Sequence, residues 1–332
     1  MRNQGVLCSG SIVLDILLLP VEDSGWGTTT FVESLEYHVG GNGANTARAL
    51  AALGTPARLL GVVGNDDQGR SAMQTIASAG VDVSAIRSER QPTATSVVMV
   101  NGRGDRKFLH RLGASAAAFA DGVEFTPEIT CGMSHYHLAS LFVLPQIRQH
   151  AGQILRDARA AGLTTSVDVN WDATGQWMIT LAPCLPDLDV LFLNEDEARM
   201  VTGCRGAAPA AEAVLELGVR AVVIKLGERG CAIYTPDREV LCPAFEIEVR
   251  DTTGAGDCFA AGFLTAWLGG SDLHEAGDFG NAVAALSVQK LGAVVGIPSA
   301  DSVRRWMGQA RVRAGRMRPR PSAGGEAGPA ML

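Results

Sequence analysis

The sequence predicts an α/β fold: a mostly parallel sheet covered by helices on both faces, with a small β-strand lid. Three observations carry that expectation. Short, near-continuous Val, Ile and Leu runs alternate with segments of helical periodicity along most of the chain, as strands buried on both faces require. Two stretches break this rhythm with polar-interrupted, β-like sequence and no helix of their own. The 332 residues, 47% hydrophobic, are enough for one large core with a small appendage.

Taken in order, the strands expected are "GVLCSGSIVLDIL" from residue 5, "ARLLGVVG" from 57, "TSVVMVN" from 95, "SHYHLAS" from 134, "TTSVDVN" from 164, "DVLFLN" from 189, "AVVIKLG" from 221 and "CAIYT" from 231. Helical patterns cover 44–53, 69–79, 147–161, 207–217, 257–268 and 273–291. Residues 15–39 and 92–112 are the lid. No repeat or interdomain linker stands out, so residues 1–310 are expected to form a single domain carrying the lid. The Arg-, Pro- and Gly-rich segment 311–332 is expected to be a disordered tail.

Composition narrows the function. The net charge of −7 includes seven arginines between Arg304 and Arg320, so the rest of the chain is more acidic than the total, which argues against a nucleic-acid enzyme. No apolar run approaches the roughly 20 residues that cross a bilayer, and the first residues lack a secretory h-region, so no membrane partner and a cytoplasmic location are expected. The seven cysteines are scattered without a C-x-x-C pair and read as free thiols. Clustered zinc ligands are not expected, and His135 and His137, sharing a strand face, read as packing or substrate contacts.

The glycine-rich segments hold the chemistry. A Walker A loop is excluded because none of the three lysines, Lys107, Lys225 and Lys290, follows a glycine. A dinucleotide fingerprint fits poorly: "VGGNGANTARALAALG" offers Gly41 and Gly43, but Thr46 stands where a third glycine belongs. The segment "RDTTGAGDCFAAGFL" suits an anion hole, because unpaired N–H groups and aligned peptide dipoles at a helix start favour negative charge. Small residues at Gly254, Ala255 and Gly256 let a polyphosphate approach the backbone. Asp257 would then accept the proton of an attacking alcohol. At a helix start it is expected to have a low pKa, tolerable where nucleophile deprotonation comes late. On spacing alone, a capping aspartate in a Gly-rich turn explains Asp257 equally well.

"DTTGAGDCFAAGF" resembles the C-terminal signature of the ribokinase-like (PfkB) sugar kinases, and "GGNGANTARALAALG" followed by "VVGNDDQG" resembles their N-terminal signature, in the family's order. The similarity covers roughly residues 5–300. It implies a three-layer α/β/α ribokinase-like fold and ATP-dependent phosphorylation of a hydroxymethyl group on a small sugar or nucleoside. The resemblance makes Asp257 the base and residues 254–256 the anion hole, and sets Asp15, Gly41, Asn42 and Asn45 against substrate hydroxyls. "LFLNEDEARMVTG" looks like the family's N-x-x-E element, implicating Asn194 and Glu197 in Mg²⁺ binding. "VVIKLGERGC" implicates Lys225 and Gly227 at ATP, and "GNAVAALSVQKLGA" places Asn281 near the base. Asp251 and Thr253 match the loop that holds K⁺ in many members.

Where several ribose-type members have a glutamate after the strand matching "SHYHLAS", this chain has Ala139 and Ser140. "DVNWDATGQW", with Asp168 and Asn170, leans toward fructo- and ketogluconate-type relatives, with Asn170 as a substrate contact. A nucleoside kinase is the alternative enzyme, and a non-catalytic sugar or nucleotide sensor the alternative from another class. Lid strands with an exposed edge point to a homodimer through the lid.

Overall fold

Successive residues of a strand face opposite sides of a sheet, and residues 190–194 show the result. Val190 and Phe192 enter one apolar core while Leu191 and Leu193 enter another. The computed structural model describes residues 5–22, 26–103 and 106–313. Its regular elements are β1 (Gly5–Ser9), β2 (Val13–Leu19), β3 (Ser34–Gly40), α1 (Asn42–Ala52), β4 (Ala57–Gly64), α2 (Asp67–Ser78), β5 (Ile86–Glu89), β6 (Thr95–Val100), β7 (Arg106–Arg111), α3 (Pro127–Thr130), β8 (Met133–Leu138), α4 (Ile147–Ala160), β9 (Thr164–Asp168), α5 (Trp177–Leu181), β10 (Val190–Asn194), α6 (Glu195–Thr202), α7 (Ala207–Leu215), β11 (Ala221–Lys225), β12 (Cys231–Thr235), β13 (Arg238–Cys242), α8 (Ala255–Leu268), α9 (Leu273–Ser287) and α10 (Ala300–Met307).

Nine strands form the central sheet in the order β13-β12-β11-β10-β9-β8-β1-β4-β5, parallel except at the β11-β12-β13 edge. Helices α4 to α7 cover one face and α1, α2, α8, α9 and α10 the other. A separate four-stranded sheet, β3-β2-β6-β7, is the lid. These layers are the ribokinase-like α/β fold expected.

Three expectations need correction. The run from residue 5 is two strands, not one: the Gly10 amide bonds to Leu60 of the central sheet, whereas the Leu14 amide bonds to Ala94 and enters the lid. The last long helix stops at Ser287 rather than continuing to 291, and the carbonyl of Val288 accepts the amides of Arg250 and Asp251 instead of extending the helix ladder. The segment expected to be disordered from 311 begins as paired backbone. Glu246 donates to the Arg311 carbonyl at 2.8 Å and Arg313 donates to Ala244 at 2.8 Å, with an antiparallel bridge between Phe245 and Val312. The remainder, 314–332, lies outside the described residues.

Candidate active site

The start of α8 lies where the two sequence signatures meet. Gly254 caps the helix with φ 70°, a left-handed conformation, and a Cβ there would come within 2.7 Å of the Ala293 side chain. The Ala255 amide is already donated to the Thr252 carbonyl at 3.2 Å. The next amides, of Gly256 and Asp257, lie in the first turn of α8, where a helix offers no carbonyl of its own, and are the ones left for an anion. Lys225 adds a cation beside them: a Cβ on Gly256 would stand 3.2 Å from its Nζ.

Asp257 is buried in the first turn, held by two amides from α1. Asn42 Nδ2 donates to Oδ1 at 3.0 Å and Asn45 Nδ2 to Oδ2 at 2.9 Å. The low pKa expected of it is overturned: the carboxyl is pushed up to about 7. Burial is the largest cause and Asp168 adds to it, outweighing the amides of Asn42 and Asn45 and the Lys225 charge. Helix-dipole reasoning overlooked that desolvation. Asn45 points from inside α1 to Asp257, and Asp15 lies within β2, its carboxyl raised by burial against the pull of Ser96 and His38.

Lys225, at the end of β11, is largely but not fully buried and ion-paired with Asp168 of β9 at 2.6 Å. Burial draws its pKa down, but Asp168 and Glu197 raise it more, so the net shift is upward and the ammonium stays charged. Asn194 and Glu197 meet as a reciprocal capping box on α6. Glu197 N donates to Asn194 Oδ1 at 2.8 Å, and Asn194 N donates to Glu197 Oε2 at 2.7 Å. One oxygen of each predicted Mg²⁺ ligand therefore already serves the helix start.

Two clefts flank this centre. One, of about 440 Å³, is lined by Asn194, Lys225, Gly227, Ala255, Gly256 and Asn281, together with Phe245, Ile247 and Arg313, which the sequence reading missed. Asn281 is fixed there by donating to the Cys242 and Pro243 carbonyls. The other, of about 250 Å³, lies beneath the lid and contains Asp15, Arg48, Asp251 and Thr253. Loop 251–253 divides them, with Thr252 facing the first and its neighbours the second. Asp251 is oriented by the amides of Thr253 at 2.8 Å and Gly292 at 2.9 Å.

Gly41 caps α1 with φ 93°, and the Asn42 amide donates to Ser11 Oγ at 3.1 Å. Ser11 is held in turn by Ser140, the residue that departs from the ribose-type pattern. Ser11 and Ser140 gave no local signal, being 31 and 98 residues from Asn42. Asn170 follows β9 with φ 65°, and its buried Oδ1 has no partner among the described residues. His135 and His137 are buried on one face and share Ser166 Oγ at 2.6 and 2.7 Å, which is packing rather than ligation.

The family model described as pfkB family carbohydrate kinase matches residues 3–300. The chain is 32% identical over 309 residues to the ATP-dependent ribose-1-phosphate kinase of Halopiger xanaduensis, covering 92% of this chain and 98% of that one. It is 28% identical to the nucleoside kinase of Methanothermobacter thermautotrophicus, covering 93% and 97%. The ribokinase of Arabidopsis thaliana, solved with ribose and ATP, matches with a TM-score of 0.81 and 28% identity over 92% of this chain and 98% of that one. A match of this length, on a fold of the same layers, means that the chain belongs to the pfkB family of carbohydrate kinases and is an ATP-dependent kinase.

Proposed function

We propose that the protein transfers the γ-phosphoryl group of ATP to a hydroxyl, of the hydroxymethyl type, on a small sugar or sugar derivative, with Asp257 as the base. The observation that carries this reading is the buried Asp257 carboxylate, held by Asn42 and Asn45 beside the free amides at the start of α8. A base with a pKa near the working pH is well matched to accept an alcohol proton as phosphoryl transfer completes. Lys225 and the Gly256 and Asp257 amides stabilise the transferring group's charge. The Gly254 turn and Ala255 backbone shape the approach, and Gly227 and Asn281 line the nucleotide side.

The 440 Å³ cleft, with its Gly-shaped cradle and apolar wall, suits ATP. Bound Mg²⁺ supplies charge neutralisation at the polyphosphate. Asn194 and Glu197 offer it few oxygens, as suits an ion that keeps water and phosphate ligands. K⁺ at the Asp251–Thr253 loop belongs to the same reading. Sugar hydroxyls would meet Asp15, Gly41, Asn42 and Asn45. The buried Oδ1 atoms of Asn45 and Asn170, without partners among the described residues, are acceptors for such hydroxyls.

A phosphorylated sugar is favoured within this class by one feature: Arg48 lines the lid cleft, and its buried Nε has no partner among the described residues. A nucleoside acceptor is the second reading, supported by the nucleoside kinase relative. The lid exposes Leu35, Tyr37, Phe108 and Leu109, which supports a homodimer through that sheet. A cytoplasmic location is consistent with the absence, among the described residues, of a helix long and apolar enough to cross a membrane.

The test is ADP release over a panel of sugars, sugar acids, sugar phosphates and nucleosides. Turnover with at least one sugar-class acceptor is expected, with Asp257→Asn losing about 10²–10⁴-fold in kcat while retaining ligand binding. Turnover confined to nucleosides would replace the sugar reading. Unchanged turnover in Asp257→Asn would leave a non-catalytic role for that carboxylate.

A further inference from the structure

Behind the nucleotide cleft, a second group of side chains converges that no sequence motif announces. Cys231 and Cys242 face one another across the antiparallel β12-β13 pair. Both sulfurs lie over Gly277 of α9, where a Cβ would come 2.6 Å from Cys242 Sγ and 3.3 Å from Cys231 Sγ. His274 and Asp278 project from one face of the same helix at i and i+4, with Nδ1 and Oδ2 3.3 Å apart. The ligand atoms of Cys242, His274 and Asp278 all lie within 4.8 Å of one another.

We propose that Cys242, His274 and Asp278, with Cys231 as fourth donor, form a binding site for a zinc-class divalent cation that ties β12 and β13 to α9. The donor set is the main argument. Thiolate, imidazole and carboxylate together suit Zn²⁺, whereas Mg²⁺ and Ca²⁺ prefer oxygen alone. Tetrahedral zinc sets its ligand atoms roughly 3.5 Å apart. The closure needed falls on His274 and Asp278, whose side chains reach solvent and are free to move, while both cysteines are fully buried and held by the strands.

The environment favours such a site. Each thiol rests on a helix carbonyl through a long contact, Cys242 on His274 O at 3.5 Å and Cys231 on Gly277 O at 3.9 Å, so a metal would displace only weak partners. The half-exposed His274 ring leaves an access route from solvent. Asn281, one turn further along α9, holds the Cys242 carbonyl at 2.9 Å, so the site would brace the strand end that walls the nucleotide cleft. Clustered zinc ligands are not expected from the sequence because Cys242 and His274 meet only through a contact spanning 32 residues.

The full chain would be purified, incubated with Zn²⁺, freed of excess and assayed for bound metal, with Co²⁺ substituted as a spectroscopic probe. One ion per chain is expected, with a sulfur-to-cobalt charge-transfer band and a higher Tm that a chelator reverses. His274→Ala and Asp278→Asn, both at the solvent side, should each weaken binding at least tenfold without loss of the fold by circular dichroism. Sub-stoichiometric metal at micromolar free Zn²⁺, a cobalt spectrum without a sulfur band, or equal affinity in both variants would overturn the proposal. None of these readouts depends on the phosphoryl acceptor.

Discussion

Asp257 titrates against the usual direction for a helix-start carboxylate, and two consequences follow. Its activity as a base requires the ionised form, so kcat/KM should fall about tenfold per pH unit below pH 7 and level off above it, as read from a pH–rate profile. Stability runs the opposite way. Because the folded pKa of about 7 lies above the ordinary 3.8, the folded state holds a proton that the unfolded chain has lost between those values, and stability falls as pH rises from 4 to 7. Asp257→Asn should therefore raise Tm at pH 8 and change it little at pH 5, measured by calorimetry without ligands. The residue itself was legible from the sequence, because its glycine turn and following apolar run are local. Its burial was not, since Asn42 and Asn45 reach it from more than 200 residues away. Lys225 was hidden in the same way: nothing beside it marks Asp168, 57 residues earlier, as its partner.

At the scale of the element, α6 shows one pair of side chains serving two ends. The capping box of Asn194 and Glu197 holds the first turn whether or not a metal is bound. Glu197→Gln keeps an acceptor for the Asn194 amide and should leave stability within about 0.5 kcal/mol, whereas Glu197→Ala should cost about 1 kcal/mol in denaturant unfolding. If Glu197 also meets Mg²⁺, the Gln variant should need more Mg²⁺ for half-maximal turnover while remaining as stable as the parent. Strands β4 and β12 match their expected bounds because each is a buried apolar run bounded by turn residues. Strand β13 was not foreseen: "REVLC" has a weak pattern and is stabilised by pairing with β12.

Across the whole molecule, the lid sheet is the part whose outer face lacks cover. Tyr37 and Leu109, which share the face turned away from Asp15, remain more than half exposed, so a lid-mediated dimer should be broken by Tyr37→Asp combined with Leu109→Asp. Light scattering at micromolar protein should give twice the chain mass for the parent and a single mass for the variant; a monomeric parent would remove the dimer. The division of labour between sheet and lid was readable from where helices fail to alternate with strands. Which residues face each cleft was not, because loop 251–253 assigns adjacent side chains to opposite sides.

The pairing of residues 311–313 with 244–246 gives Gly5 and Arg313, the first and last described residues, unequal surroundings. Strand β1 starts at the end of the sheet away from the Asp257 centre, whereas Arg313 stands on the cleft wall with its guanidinium 2.7 Å from Glu228. Anything joined directly after Arg313, whether an affinity handle, a fluorescent partner or a solid support, therefore starts out beside the mouth through which nucleotide would pass. Attachment directly before Gly5 leaves that opening clear.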